Sequence, residues 1–185
     1  MRTYDIALFA HLVALLAGTT ASAVIALAMR RIRSAATGAE ALPWLGLCKS
    51  TARTFPVALV VLVATGAYMV HRAWAWDDGW VDVGLAGVVL LGVLGDRVEG
   101  AAGKRIATTL AQDPLAPCGD AVLDPAWWTV STVNPALVLG IVFVMTTKPS
   151  LGGAVAALFV AAVLGAGAAV PLWRRPVSRP AAVEG

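Results

Sequence analysis

The chain has 185 residues, of which 59% are apolar or aromatic and only 14% are charged, with a mean hydropathy of +0.79. Soluble domains carry about 25% charged and about 45 to 50% apolar residues, so the composition excludes a water-soluble domain. Spanning helices of about 20 residues each leave no length for a separate catalytic domain either. The net charge is +3, but the 14 Lys and Arg fall in small groups between apolar runs, which is a topology signal and not a nucleic-acid surface.

The first apolar run, Tyr4 to Met29, stops at Arg30-Arg31-Ile32-Arg33 and predicts a spanning helix over 4–29. Its Ala21-Ser22-Ala23 has the form of a signal-peptidase site. Against cleavage, Asp5 cancels Arg2, His11 interrupts the run, and apolar residues continue past the site into a basic stop. A second helix is expected over 55–74, with Pro56 in its first turn, where a missing N–H costs little. A third, over 80–95, precedes Asp96-Arg97-Val98-Glu99 and a polar continuation to about Ala111 that can stay helical beyond the membrane. The fourth, 125–147, starts at Pro125 with Asp124 as N-cap and Trp127-Trp128 at headgroup level. The fifth, 151–173, follows the short Lys148-Pro149-Ser150 link and is the antiparallel partner of the fourth.

These elements predict an all-α, polytopic membrane helix bundle, one domain over residues 1–175, with a disordered tail over 176–185. Counting bases between five spans puts eleven on one side and three, Arg2, Arg72 and Lys148, on the other. By the positive-inside rule the N-terminus is outside and the C-terminus cytoplasmic. Asp77, Asp78 and Asp82 outnumber Arg72 in the second loop and agree with that side being outside. The expected location is a bacterial-type cytoplasmic (inner) membrane, with the lipid bilayer as first partner and no nucleic acid. Cys48 and Cys118 are isolated and read as reduced thiols in cytoplasmic loops. Gly84, Gly87, Gly92 and Gly95, and Ala161, Gly165 and Ala169, recur at spacings that let helices approach closely.

Ionisable groups at membrane depth are expensive and mark sites by default. Both histidines fall in apolar spans, His11 about 10 Å below Tyr4 and His71 about 5 Å below Trp74 at 1.5 Å per residue. Two neutral imidazoles at similar depth on antiparallel helices suit haem iron or a transition metal, with Tyr68 and Met69 flanking. Asp96, Arg97 and Glu99 read as an interfacial ion-pair cluster that fixes helix depth, with a proton or ion entry point on the cytoplasmic side as the alternative. Pro135 removes one backbone bond inside the fourth helix, and Asn134 can partner the freed carbonyl or a neighbouring helix. Lys148 ends that helix, where its ammonium can reach headgroups or a carboxylated ligand.

The pattern Asn134-Pro135-Ala136-Leu137, an apolar run, then Lys148-Pro149 resembles the last helix of the membrane-bound haem-containing protoporphyrinogen oxidases and of the copper-resistance D superfamily around them. Ala10-His11-Leu12 on the first helix, and Pro56 followed by Thr65-Gly66 on the second, are similar to the same group. A bacterial integral-membrane family of unknown function within that superfamily is the nearest in size and style. The resemblance covers roughly residues 4 to 149 and implies a haem b or transition-metal site. It transfers His11, Thr65, Gly66, Asn134, Pro135, Lys148 and Pro149 as candidate residues. After His11 the chain departs from the oxidases, because Ala14-Leu15-Leu16-Ala17-Gly18 lacks their aromatic, Arg and further His residues. Three functions stay open at this stage. One is a haem or metal protein in redox, porphyrin or copper handling through His11 and His71. The others are a non-catalytic accessory or scaffold protein bound to a membrane complex, and a small transport component that can form a homo-oligomer.

Overall fold

The computed structural model describes residues 3–74, 76, 78–118, 122 and 124–173. The predicted tail 176–185 and the charges Arg2, Asp77, Arg174, Arg175 and Arg179 lie outside the described residues. Among the described residues the chain is helical throughout, with one isolated backbone bridge between Thr37 and Pro117 in place of any strand. The elements are α1 (Thr3–Ser34), α2 (Gly38–Ala52), α3 (Thr54–Ala73), α4 (Gly79–Val93), a π-helical segment (Leu94–Gly100), α5 (Ala101–Gln112), α6 (Pro125–Thr147) and α7 (Leu151–Ala169), the last followed by a 3-10 turn (Val170–Trp173).

Four runs are long and apolar enough to cross a membrane: Thr3–Ser34, Gly38–Ala73, Pro125–Thr147 and Leu151–Trp173. Large side chains line their outer surfaces, among them Phe9, 67% exposed, and Leu139, 70% exposed. Water does not tolerate apolar surface on that scale, whereas lipid does. The chain is a membrane protein.

Local chemistry accounts for the element ends. Asp124 accepts from the backbone N–H of Ala126 and Trp127, with Pro125 in the first turn, so α6 begins where its cap predicts. Ser150 caps α7 by accepting from Gly153 N–H. Lys148 takes a left-handed φ of 47° at the end of α6 and donates its N–H to Val144 O at 2.9 Å, and Pro149 prevents continuation. α1 departs from expectation by running through Arg33. The basic stop is its last turn, where cations favour the C-terminal dipole. The predicted loop 30–54 also contains α2, whose Ala41, Leu45 and Cys48 share one face inward.

Two cores sit at opposite ends of the bundle. At the basic end, Met29 and Ile32 of α1, Ala41 and Leu45 of α2, Ala102, Ile106 and Leu110 of α5, and Trp127 and Trp128 of α6 pack together. At the other end, Val70, Trp80, Val81, Val83, Val144 and Ala154 form the second core. Between them α1 lies along α3 while α6 lies along α7 and α4, and the two groups touch sparsely. The small residues act as close-approach points: a Cβ on Gly140 would stand 3.0 Å from Ala161 Cβ, and one on Gly87 3.0 Å from Ile141 Cγ1.

Candidate functional site

Residues brought forward by the sequence gather at three separate places in the bundle. The first is the α1–α3 interface. His11, half-buried, places Nδ1 3.0 Å from Thr65 Oγ1. The Thr65 hydroxyl donates to Val61 O one turn earlier, with Leu62 O as a longer second acceptor. A hydroxyl has one hydrogen, and here it is spent on α3 carbonyls. With that hydrogen on α3, the matching tautomer of the neutral ring has Nδ1–H donating to Thr65 Oγ1 and the lone pair on Nε2. Gly66 packs beside the ring, a Cβ there standing 3.5 Å from His11 Cε1.

This assignment is directly testable, because the chain has only two histidines. In a ¹⁵N-histidine-labelled sample His11 is expected as the Nδ1–H tautomer, and Thr65→Val should mix or invert it. Wild-type His11 found with its proton on Nε2 would overturn the hydrogen-bond order given above.

His71 is exposed in the last turn of α3. It stands six residues beyond Thr65, about 9 Å along the axis and about 120° around it. The structure thus joins His11 to Thr65 and Gly66, and leaves His71 on another face. Tyr68 donates its hydroxyl to Thr3 Oγ1 at 2.7 Å, with the Arg72 guanidinium over its ring, and so ties the start of α1 to the end of α3.

The second place is the far end of α6. Lys148 Nζ sits 3.8 Å from the centroid of the Trp74 ring and 5.9 Å from that of Trp80, and the two rings meet edge to face at 5.6 Å. The ammonium that the sequence assigned to headgroups or an acidic ligand is held on an aromatic corner joining α3, α4 and α6.

The third place is the joint between α4 and α5, where the sequence offers an interfacial ion-pair cluster or a proton or ion entry point. Asp96 and Arg97 pair with each other at 3.7 Å, both more than four-fifths exposed, but Glu99 points away from them and accepts from Asn134 Nδ2 at 3.1 Å. Gly95 lies beside the pair, a Cβ there standing 3.9 Å from Glu99 Oε2 and 4.0 Å from Asn134 Nδ2. Asn134 does reach a neighbouring helix, as its position beside Pro135 suggested, and Pro135 itself is exposed.

Among the described residues, no group of three or more His, Cys, Asp or Glu is placed to hold a metal ion. An open apolar groove runs along α1 beside Val13, Leu16, Ala17 and Thr20, reaching Thr51 and Thr54. No known protein family, curated protein or solved structure matches this chain.

Proposed function

We propose that this chain is a five-span protein of a bacterial-type cytoplasmic membrane, with its N-terminus outside, that binds haem b or a transition metal through His11 Nε2. The single observation that carries the ligand role is the Thr65 hydroxyl. With its hydrogen committed to α3, it orients the ring and leaves one nitrogen bare, as the outer hydrogen bond of a ligating histidine does. Among the described residues, His11 would supply one ligand to such a group. His71, on another face of α3, does not fit as the paired ligand, so a second would come from outside the described residues or from a partner. Bound haem would supply one-electron or porphyrin chemistry. The protein's part is to hold the ring, fix its tautomer and surround it with apolar helix.

The five-span reading is supported by α4, which starts in the second core and leads through the π-helical segment into α5 of the basic-end core, although its apolar part is short. Orientation is supported by Arg30, Arg31, Arg33, Lys49, Arg53, Lys104 and Arg105 gathering at one end, against Arg72 and Lys148 at the other. The test is the visible spectrum of the full chain purified in mild detergent from haem-supplied cells, oxidised and then dithionite-reduced. A Soret band that shifts on reduction, is lost or strongly weakened in His11→Ala and survives in His71→Ala is expected. A colourless protein that also carries no metal overturns the proposal in favour of an accessory role in a membrane complex.

A further inference from the structure

The π-helical segment between α4 and α5 holds a polar pair that the His11 site does not use. π-helical turns insert a residue into the helical register and occur often where side chains are re-aimed for function. Here the insertion turns Glu99 toward α6 while Asp96 and Arg97 stay in solvent. Glu99 takes one hydrogen bond, from Asn134 Nδ2. Asn134 Oδ1, the other end of the same amide, is buried with no hydrogen-bond partner. An amide offers an acceptor beside its donors, so the pair is half made: one oxygen of the acid is bonded and the amide oxygen next to it lacks a donor.

The surroundings supply no cation to the carboxylate. α6 has no ionisable residue from Pro125 to Thr147, and α4 has only Asp82, in its first turn at the opposite end. α5 carries Lys104 and Arg105, both exposed, with Arg105 engaged on Asp124 at 3.1 Å. From α2, the Cys48 thiol is half-buried, Glu40 bonds the Ala36 N–H, and Lys49 is exposed. Burial accordingly pushes the Glu99 carboxyl up to about 7, with the Asn134 bond pulling the other way.

We propose that Glu99 and Asn134 form a proton-binding site, in which the neutral acid and the amide close a ring of two hydrogen bonds: Nδ2–H to one acid oxygen, and the acid O–H to Asn134 Oδ1. Binding takes a proton from water at the basic end, neutralises the carboxylate and gives the orphaned amide oxygen its donor. Release leaves an uncompensated carboxylate against α6 and the amide oxygen bare. The bound proton therefore clamps the α4–α5 joint onto α6 beside Pro135. The sign follows from the raised carboxyl. Between the ordinary glutamate value near 4.5 and about 7 the folded chain holds a proton that the unfolded chain has lost. The site's contribution to stability is complete below that range and is lost as pH rises through about 7.

The chain contains three glutamates, Glu40, Glu99 and Glu184, so ¹³Cδ-glutamate labelling of the full chain in lipid nanodiscs resolves the site. One resonance is expected to titrate near pH 7 and to disappear in Glu99→Gln. In the infrared, the C=O band of protonated Glu99 is expected at higher frequency in Asn134→Leu, because the acid has lost its partner. Three glutamates titrating together, or an unmoved band in a folded Asn134→Leu, overturns the proposal. So does a midpoint that falls when choline is replaced by sodium, which would make this a cation site. If Asn134→Leu does not fold, the wild-type and Glu99→Gln titrations still decide.

Discussion

Leucine at Gly165 is expected to separate the α6–α7 hairpin, while leucine at Gly167, two residues on, leaves it intact. A Cβ at Gly165 would stand 2.7 Å from Val133 Cα and 3.0 Å from Thr132 O, both backbone atoms that cannot swing aside. At Gly167 nothing lies within 4 Å. Overpacking costs about 1–3 kcal/mol even where side chains can yield. Against backbone, leucine at Gly165 should cost about 3 kcal/mol or more. Alanine at the two sites should differ in sign: at Gly167 it gains up to about 1 kcal/mol of helix propensity, and at Gly165 the clash outweighs that gain. Reversible denaturation in mixed detergent micelles, followed by helical circular dichroism, reads all four variants. Equal costs at Gly165 and Gly167 would show that the hairpin is not held by close approach of α6 and α7.

The hairpin was legible in the sequence because a bilayer makes its elements local. Each span needs an unbroken apolar run, and Asp124, Pro125, Lys148, Pro149 and Ser150 mark the ends through backbone chemistry that depends on few neighbours. α2 was not legible. Pro43 inside it and exposed Trp44 and Leu47 break the pattern of an amphipathic helix, and its inward face becomes a face only when α5 and the end of α1 cover it. The site was legible in part. Axial rise counted from Tyr4 and Trp74 predicts similar depths for His11 and His71, but the register of α1 on α3 sets His11 level with Thr65, about 9 Å along the axis from His71. That register sets Thr65 and Gly66 opposite the ring. The parting of Glu99 from Asp96 was hidden for a related reason. In a regular helix it belongs with Asp96, three residues earlier, and only the π-helical insertion sends the two apart.

Trp127 and Trp128 carry the same lesson to the basic end, where an aromatic pair at the start of a span reads as a headgroup anchor. Both are buried instead, 4% and 3% exposed, in the core shared by α1, α2, α5 and α6. Trp128 donates its indole N–H to Val122 O at 2.8 Å and lies under the Arg33 guanidinium, which itself donates to Pro171 O at 3.1 Å. One ring thus connects the ends of α1 and α7 to the start of α6. Trp128→Ala is expected to cost about 3–5 kcal/mol, the range for deleting a large buried aromatic. Trp128→Phe keeps much of the volume and should cost less, about 1 kcal/mol of it from the lost hydrogen bond. Trp74→Ala, at a rim residue 42% exposed, should cost less than Trp128→Ala. Because the two cores are separate, the damage should also be local. Amide exchange in Trp128→Ala should accelerate in α2 and α5 while the α6–α7 hairpin away from Trp128 stays protected. Acceleration spread evenly over every helix would mean that the bundle melts as one unit and that the division into two end cores has no energetic counterpart.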